Sequence, residues 1–298
     1  MRIVWKSAIT VLIIIAGSEL IIRASGITDF PLYEANKEIG YIPKPSQTGS
    51  FLHKNSWEFN SLSMGAGQFT PTNGIDTLLI GDSIVLGGNP YKQQDRLGPT
   101  LQTVTKHAVW PISAGSWSLS NELIYLKIHQ DILKDIDDFI FVLNSEDFQQ
   151  PSSWSCETTH PRTHPFSATY YAFKKYIYDF PPCTNAPNEL TVADGDWKAD
   201  LKDFLRSEVI KDKPVSFFLY PNKKESAGKP ETIAAFEKHA ADLLQASNGN
   251  ARVFSIYRDP RWNSQFYRDG IHPTIEGTKV LASIINSPDK KTELKQAQ

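Results

Sequence analysis

The stretch that decides the fold is TLLIGDSIVLGG, residues 77–88. It begins as a continuous apolar run, which is typical of a strand buried on both faces of a sheet. The run then passes through Gly81, Asp82 and Ser83 before apolar residues resume and end in two glycines. Such a break is either a polar turn or the place where a strand presents a serine nucleophile at its carboxyl end. The rest of the chain distinguishes these two interpretations.

Strand-like and helix-like segments alternate after this stretch. Four later segments have the composition of buried strands: AVWPIS, DDFIFVLN, PVSFFLYPN and ARVFSIYRD. Segments with helical periodicity, such as WKADLKDFLRSEVIK, lie between them. The alternation predicts an α/β fold with a doubly wound parallel sheet covered by helices on both faces. Ligands bind sheets of this kind at the carboxyl ends of the strands.

Chemically useful residues follow four of the predicted strands. They are Ser83, Gly115 in PISAGSWS, Asn144 in VLNSEDF, and Asp269 with His272 in YRDGIHPT. In a parallel sheet all of these strand ends meet at one edge. A histidine can take the proton of a serine hydroxyl, and a carboxylate can fix the tautomer of that histidine. An acyl-transfer oxyanion also needs donors, for which the candidates are the backbone N–H groups of Ser83 and Gly115 and the side-chain amide of Asn144.

The four blocks GDSIVLGG, SAGSWS, VLNSEDF and DGIHPT resemble, in this order, those of the SGNH hydrolase family, also called the GDSL esterases. The resemblance implies a flavodoxin-like three-layer α/β/α sandwich. It also implies that Ser83 is the nucleophile, His272 the base and Asp269 the residue that orients it, with the three donors named above as the oxyanion hole. The third block departs from the family's frequent Gly-x-Asn-Asp, because this chain has LNSE at 143–146.

The layout of the chain is similar to that of membrane-anchored SGNH proteins that add or remove acetyl groups on bacterial exopolysaccharides. This resemblance implies a serine esterase that acts through an acyl-enzyme on a small acyl ester, most simply an acetyl ester, of a carbohydrate in the cell envelope. Three alternatives remain open at this point. They are an O-acyltransferase with the same triad, a lipid-directed esterase, and a non-catalytic protein of envelope polysaccharide assembly.

Residues 1–26 predict a signal-anchor or a signal peptide. Arg2 and Lys6 precede an apolar run that is interrupted by Glu19, and small residues just before Glu19 offer a cleavage site. The apolar residues after Glu19 favour an anchor. The positive amino end then stays in the cytoplasm and the body is exported. We therefore expect a single-pass protein of the inner membrane with its catalytic domain in the periplasm, or a secreted protein if the segment is cleaved.

The remaining chain divides into three parts. Residues 27–74 are rich in turn signals and predict a linker and covering arm without a core of their own. Residues 75–287 form the predicted hydrolase domain, with an inserted cap at about 150–192 where the strand–helix rhythm is lost. Residues 288–298 are polar and predict a disordered tail.

Composition excludes some partners and suggests one crosslink. The net charge of −2 provides no basic field for nucleic acid. No metal-ligand cluster stands out, so neither a metal nor a cofactor is predicted. Cys156 and Cys183 both lie in the cap, and in an exported chain they suggest a disulfide.

Three further residues have a structural and a functional interpretation. Trp117 either packs beneath the active-site loop or stacks on a sugar. Arg268 is either solvated or neutralises an acidic substrate. Glu122 is most simply a charge at a helix N-terminus, where the helix dipole favours it.

Overall fold

The computed structural model describes residues 2–178, 183 and 185–295. The chain begins with a long helix, α1 (Arg2–Ala24). Within the described residues, the window from Trp5 to Ala24 is the one helix long and apolar enough to cross a membrane, a test that a signal sequence also passes. Its apolar side chains, such as Ile13 and Leu20, are exposed, so the helix contributes little to the core of the protein.

A five-stranded parallel sheet forms the centre of the molecule. Its strands are β5 (Asp76–Gly81), β6 (Ala108–Ser113), β7 (Asp138–Leu143), β8 (Val215–Leu219) and β9 (Arg252–Ser255). They are hydrogen-bonded in the order β6-β5-β7-β8-β9, which is the flavodoxin-like order. The α/β fold predicted from the alternating pattern is therefore confirmed.

Helices cover both faces of this sheet because the apolar side chains of each strand alternate between them. Leu78 and Ile80 of β5 enter one core cluster, and Leu79 enters the other. The longer helices are α3 (Leu97–Thr105), α4 (Leu119–Ile128), α7 (Trp197–Arg206), α9 (Pro230–Ser247) and α10 (Ile275–Asn286). The single-turn helices are α2 (Ser83–Leu86), α5 (Gln130–Leu133) and α8 (Lys223–Ser226).

The arm at 27–74 is more regular than its turn signals predict. It forms two antiparallel hairpins from strands β1 (Tyr33–Asn36), β2 (Gly40–Pro43), β3 (Gln47–Phe51) and β4 (Asn55–Phe59). Tyr41 and Ile42 belong to a main core cluster. The arm therefore supplies part of the core beside the sheet, a role that its short strands do not reveal in the sequence.

The cap contains helix α6 (Ala168–Tyr176), and a disulfide joins Cys156 to Cys183. The carboxyl-terminal tail, predicted to be disordered, is instead partly paired. Thr292 accepts a hydrogen bond from the Ser255 amide, and the Leu294 amide donates to the Val253 carbonyl oxygen. Because β9 lies at the edge of the sheet, its unpaired backbone groups can bind this segment.

Candidate active site

The turn after β5 places Ser83 at the carboxyl edge of the sheet. Gly81 has no room for a side chain, because a Cβ there would lie 2.8 Å from the Val142 carbonyl oxygen. Asp82 then caps α2, and its Oδ1 accepts from the Ile84 amide at 2.8 Å. The strand thus turns directly into a helix whose first residue is Ser83, and this geometry leaves the hydroxyl at the rim.

Residues far apart in the sequence meet at this hydroxyl. The Nε2 atom of His272 lies 3.0 Å from the Oγ of Ser83. The Nδ1 atom of the same ring lies 2.9 Å from Oδ2 and 3.1 Å from Oδ1 of Asp269. The structure therefore brings the three predicted catalytic residues into one hydrogen-bonded chain of hydroxyl, imidazole and carboxylate.

The loop at 268–272 holds the Asp269 carboxylate in place. Its Oδ1 accepts from the Ile271 amide at 3.0 Å and from the His272 amide at 2.8 Å. Partial burial alone would raise the pKa of Asp269, but these hydrogen bonds and the His272 ring outweigh it, so that the pKa is lowered. Asp269 is therefore ionised at neutral pH and can stabilise an imidazolium.

Arg268, one of the two predicted substrate contacts, lies beside this carboxylate. Its Nε is 3.4 Å from Asp269 Oδ2, and its guanidinium lies 4.8 Å from the centre of the Tyr91 ring. The Arg268 side chain is about a quarter exposed. It therefore adds positive charge at the rim, and its measured contacts are with the protein itself.

Ser83 has a second neighbour, Asp82, in addition to His272. The Oγ of Ser83 lies 3.3 Å from Asp82 Oδ2. The Asn144 side chain then connects Asp82 to Asp147, since its Nδ2 donates to Asp82 Oδ2 at 3.1 Å and to Asp147 Oδ1 at 3.0 Å. The predicted oxyanion donor Asn144 is thus next to the nucleophile, but both of its N–H groups are engaged in this arrangement.

Three buried carboxyl groups lie beneath the serine. Asp82 and Asp147 contact Asn144, and Glu122 is near enough to interact electrostatically with both. Burial raises the pKa of Asp82, and it raises those of Asp147 and Glu122 well above their ordinary values. Neither carboxyl oxygen of Glu122 has a hydrogen-bond partner among the described residues. Glu122 lies in the first turn of α4, as predicted, but it is a fully buried core acid.

Gly115, the third predicted oxyanion donor, is held by two residues that the sequence did not single out. Its carbonyl oxygen lies 2.7 Å from the Tyr41 hydroxyl, which donates to it, and 3.2 Å from His160 Nε2. The two rings are stacked with their centres 3.9 Å apart. Burial lowers the pKa of His160 to about 4, so the ring is neutral at pH 7 and fixes the Gly115 peptide without adding charge.

Trp117 does not reach the substrate space. It is 1% exposed, and its Nε1 donates to the Tyr41 carbonyl oxygen at 2.6 Å. The sugar-stacking interpretation of Trp117 is therefore wrong, and its packing role beneath the loop is the one observed. Neither Tyr41 nor His160 carries a local sequence signal, because each reaches Gly115 only through the folding of the arm and the cap.

The parallel sheet and the hydrogen-bonded Ser83, His272 and Asp269 at its carboxyl edge define an α/β protein with the site geometry of a serine hydrolase. The four sequence blocks predicted to carry the site lie together at this edge. Among the residues in the described ranges, no group of three or more His, Cys, Asp or Glu could hold a metal ion.

Comparisons with solved structures give distant matches. One is a protein of the G-D-S-L lipolytic family from Desulfitobacterium hafniense DCB-2, with 15% identity, a TM-score of 0.42, and 71% of this chain and 97% of that chain covered. Another is a catalytic mutant of an acetylxylan esterase from Geobacillus stearothermophilus, with 11% identity, a TM-score of 0.42, and coverage of 76% and 99%.

A third match is an acetyl xylan esterase from Butyrivibrio proteoclasticus, with 12% identity, a TM-score of 0.39, and coverage of 74% and 64%. No family profile and no curated protein sequence matches the chain.

Proposed function

We propose that this protein is a serine esterase that removes a small acyl group, most simply acetyl, from a carbohydrate of the cell envelope. The observation that carries the proposal is the 3.0 Å contact of Ser83 Oγ with His272 Nε2, together with the 2.9 Å contact of His272 Nδ1 with Asp269. A hydroxyl becomes a useful nucleophile when a base removes its proton, and this chain of contacts supplies the base and its orienter.

In the proposed reaction, Ser83 Oγ attacks the ester carbonyl carbon while its proton passes to His272 Nε2. Asp269 stabilises the imidazolium that forms. The negative oxygen of the tetrahedral intermediate accepts hydrogen bonds from the backbone N–H groups of Ser83 and Gly115, and from the Asn144 amide when that amide exchanges a carboxyl partner for the oxyanion. His272 then gives its proton to the ester oxygen of the sugar, which leaves as a hydroxyl while the acyl group stays on Ser83. Water attacks the acyl-enzyme, His272 takes the water proton and returns it to Ser83 Oγ, and the free acid is released.

Acyl-chain length separates the acetyl assignment from the lipid-directed alternative. The space at Ser83 and His272, bordered by Gly87, Tyr91 and Leu97, is too tight to admit a water molecule. A groove for a long chain would gain roughly 0.8 kcal/mol for each buried methylene. An ester series from two to twelve carbons therefore tests the acetyl assignment. Specificity that falls with chain length supports it, and specificity that rises supports a lipid-directed esterase.

The direct test of the esterase is Ser83→Ala in the full-length protein. We expect loss of 4-nitrophenyl acetate turnover to near the uncatalysed level, and loss of labelling by a fluorophosphonate, because no other hydroxyl contacts His272 Nε2 in the described ranges. Wild-type protein that fails to label would favour a non-catalytic envelope protein. Acetylated sugar in place of free acetate as the product would identify an acyltransferase.

We further propose that α1 anchors the protein in the inner membrane with the body outside the cytoplasm. Glu19 near the end of α1 accepts hydrogen bonds from the Ala168 and Thr169 amides at 2.8 and 3.0 Å. Arg23 pairs with Glu19 at 2.7 Å. Glu19 of the apolar helix α1 thus caps the N-terminus of α6. This contact fixes the last turns of α1 to the body of the protein. The Cys156–Cys183 disulfide also suits an oxidising compartment.

The surface next to this contact has the composition of a membrane interface. Aromatic and apolar side chains are exposed along and just outside α6: Phe166, Tyr170, Phe173, Tyr176, Ile177 and Tyr178. Aromatic residues are enriched where a protein meets lipid headgroups. Their position beside the end of α1 supports a body that rests against the membrane.

Carbonate extraction of cell membranes tests the anchor. We expect full-length wild-type protein in the membrane pellet and release of Ile13→Lys, since a lysine at the middle of a span costs about 2.5–3.5 kcal/mol. Val104→Lys, on the exposed surface of α3, is the matched control and should stay in the pellet. A soluble wild-type protein whose mass shows cleavage within residues 16–26 would indicate secretion and contradict the anchor.

A further inference from the structure

Arg96 is a buried cation next to the candidate active site. It immediately precedes α3 and is 4% exposed. Its side-chain stem packs against Gly87, where an added Cβ would lie 3.0 Å from Arg96 Cγ. Gly87 follows the helical turn that begins at Ser83. The stem of Arg96 therefore packs against the end of the helical turn that carries Ser83.

This guanidinium has no anionic partner among the described residues. Its Nε is buried without a hydrogen bond, and neither an ion pair within 4.0 Å nor a side-chain hydrogen bond joins Arg96 to any described residue. The contrast within the chain is Arg261, which is paired with the buried Asp259 at 2.7 Å. Burial lowers the pKa of Arg96 to about 10, so the group still carries its charge at neutral pH. Buried charges in proteins are normally paired, because an uncompensated one is costly.

A second partly buried cation faces the same space. Arg96 and Lys175 both line a cavity of about 60 Å³, whose wall also includes Tyr33, Gly88 and Thr159. Lys175 Nζ donates to the Thr158 carbonyl oxygen at 3.1 Å and has no carboxylate within ion-pair distance among the residues that the structure describes. Two cations from the sheet domain and the cap thus converge on one cavity with no acid between them.

Arg96 connects this cavity with the catalytic residues. It also borders the tight space beside Ser83 and His272, and Gly88, which follows the turn that begins at Ser83, lines the cavity shared with Lys175. Guanidinium and ammonium groups bind carboxylate and phosphate through charge-assisted hydrogen bonds.

We propose that Arg96 and Lys175 form an anion-binding subsite beside Ser83, and that the carbohydrate substrate carries an oxyanion, a carboxylate or a phosphate, which occupies it. The substrate class depends on the proposed esterase function. The subsite itself does not, because binding of an anion requires no turnover.

The test is a ligand titration of thermal unfolding on the full-length protein in detergent. The probes are sodium glucuronate for a sugar carboxylate, glucose 6-phosphate for a sugar phosphate, and glucose as the neutral control. We expect one or both anions to raise the melting temperature and glucose to leave it unchanged, since a ligand that binds only the native state stabilises it. The anion with the lower dissociation constant identifies the chemical source.

Three variants locate the binding. Arg96→Met and Lys175→Met each remove a charge while keeping an unbranched stem, and each should weaken anion binding by about tenfold or more. Arg252→Met is the matched control, because Arg252 pairs with Glu293 at the start of β9, at the opposite edge of the sheet, and should bind as wild type. If Arg96→Met does not fold, the anion affinity of Lys175→Met tests the subsite.

Equal stabilisation by glucose and glucuronate would overturn the subsite, as would anion binding that is unchanged in both Arg96→Met and Lys175→Met or equally weakened in Arg252→Met. The outcome is independent of the esterase. A protein that binds the anion but shows no turnover would support the subsite and contradict the esterase reaction. A protein that turns over the ester but does not bind the anion would support the esterase and contradict the subsite.

Discussion

Two sets of carboxyl groups lie near Ser83, and their surroundings differ sharply. Asp269 is at the rim, where its side chain is 47% exposed and receives hydrogen bonds from two backbone amides and the His272 ring. Asp82, Asp147 and Glu122 lie below, each at most 4% exposed. The same functional group is therefore held ionised in one place and pushed toward its neutral form in the other.

The difference shows how environment assigns roles to chemically equivalent residues. Hydrogen-bond donors lower the pKa of Asp269 despite its partial burial, which keeps a negative charge next to the base. Below the serine, burial raises the pKa of Asp82. Asp82 Oδ2 lies 3.3 Å from Ser83 Oγ. The buried layer thus contacts the hydroxyl, whereas the rim carboxylate contacts the imidazole.

The largest expected effect is at the rim. Asp269→Asn should lower the turnover number for 4-nitrophenyl acetate by about 10⁴-fold, because the amide favours the wrong tautomer of the histidine and cannot stabilise its cation. Asp242→Asn, at a surface ion pair with Lys238, is the control and should retain activity. If Asp269→Asn kept most of its turnover with normal folding, the rim carboxylate would have no special role.

Glu122→Gln tests the buried layer through stability. The unfolded chain releases the Glu122 proton near pH 4.5, whereas burial keeps its pKa well above that value in the native state. The native state therefore binds more protons above pH 4.5, so this group's contribution to stability falls as pH rises toward the native pKa. Glutamine does not titrate, so its contribution to stability does not fall as pH rises. The quantity to compare is the free energy of unfolding of the variant minus that of wild type. This difference should be about 1–3 kcal/mol larger at pH 7 than at pH 4.5.

Urea unfolding at the two pH values measures this difference. Glu276→Gln supplies the matched control, because Glu276 is exposed on α10, where it lies 3.4 Å from Lys279. A gap between Glu122→Gln and wild type that is the same at both pH values would mean that Glu122 is ionised in the native protein, and the contrast between the two carboxyl sets would disappear.

The smallest expected effect concerns the donors that hold the Gly115 peptide. Tyr41→Phe removes the 2.7 Å hydrogen bond to the Gly115 carbonyl oxygen and leaves the stacking on His160. We expect the turnover number to fall by about threefold to tenfold with little change in KM, as one neutral hydrogen bond is worth about 0.5–1.5 kcal/mol. Tyr257→Phe controls for loss of a tyrosine hydroxyl. Unchanged turnover with reduced stability would make Tyr41 a purely structural residue.

Much of the site could be predicted because its parts follow strands. Ser83, Gly115 and Asn144 follow β5, β6 and β7 within two residues, and parallel strands end at one edge. The Asp269–His272 loop does not follow a strand directly, since β9 ends at Ser255, so the expectation that this block follows a strand is wrong. The interpretation of Trp117 as a sugar contact failed because burial of an aromatic ring cannot be deduced from its neighbours along the chain. The same holds for Glu122, whose helix position is local information but whose solvent exposure is not.

The alternating pattern of the sequence by itself determined the order of the strands along the chain and the α/β class, since these depend on periodicity. The order of four short blocks indicated the triad residues, whereas the contact of Ser83 with His272, 189 residues apart, results from the fold. Only the tertiary structure decided that Tyr41 and His160 hold Gly115, that three acids are buried beneath Ser83, and that Arg96 and Lys175 share a cavity. Each of these depends on segments more than thirty residues apart. Their contacts and their loss of water arise only when the arm and the cap pack against the sheet, and no local pattern encodes that packing.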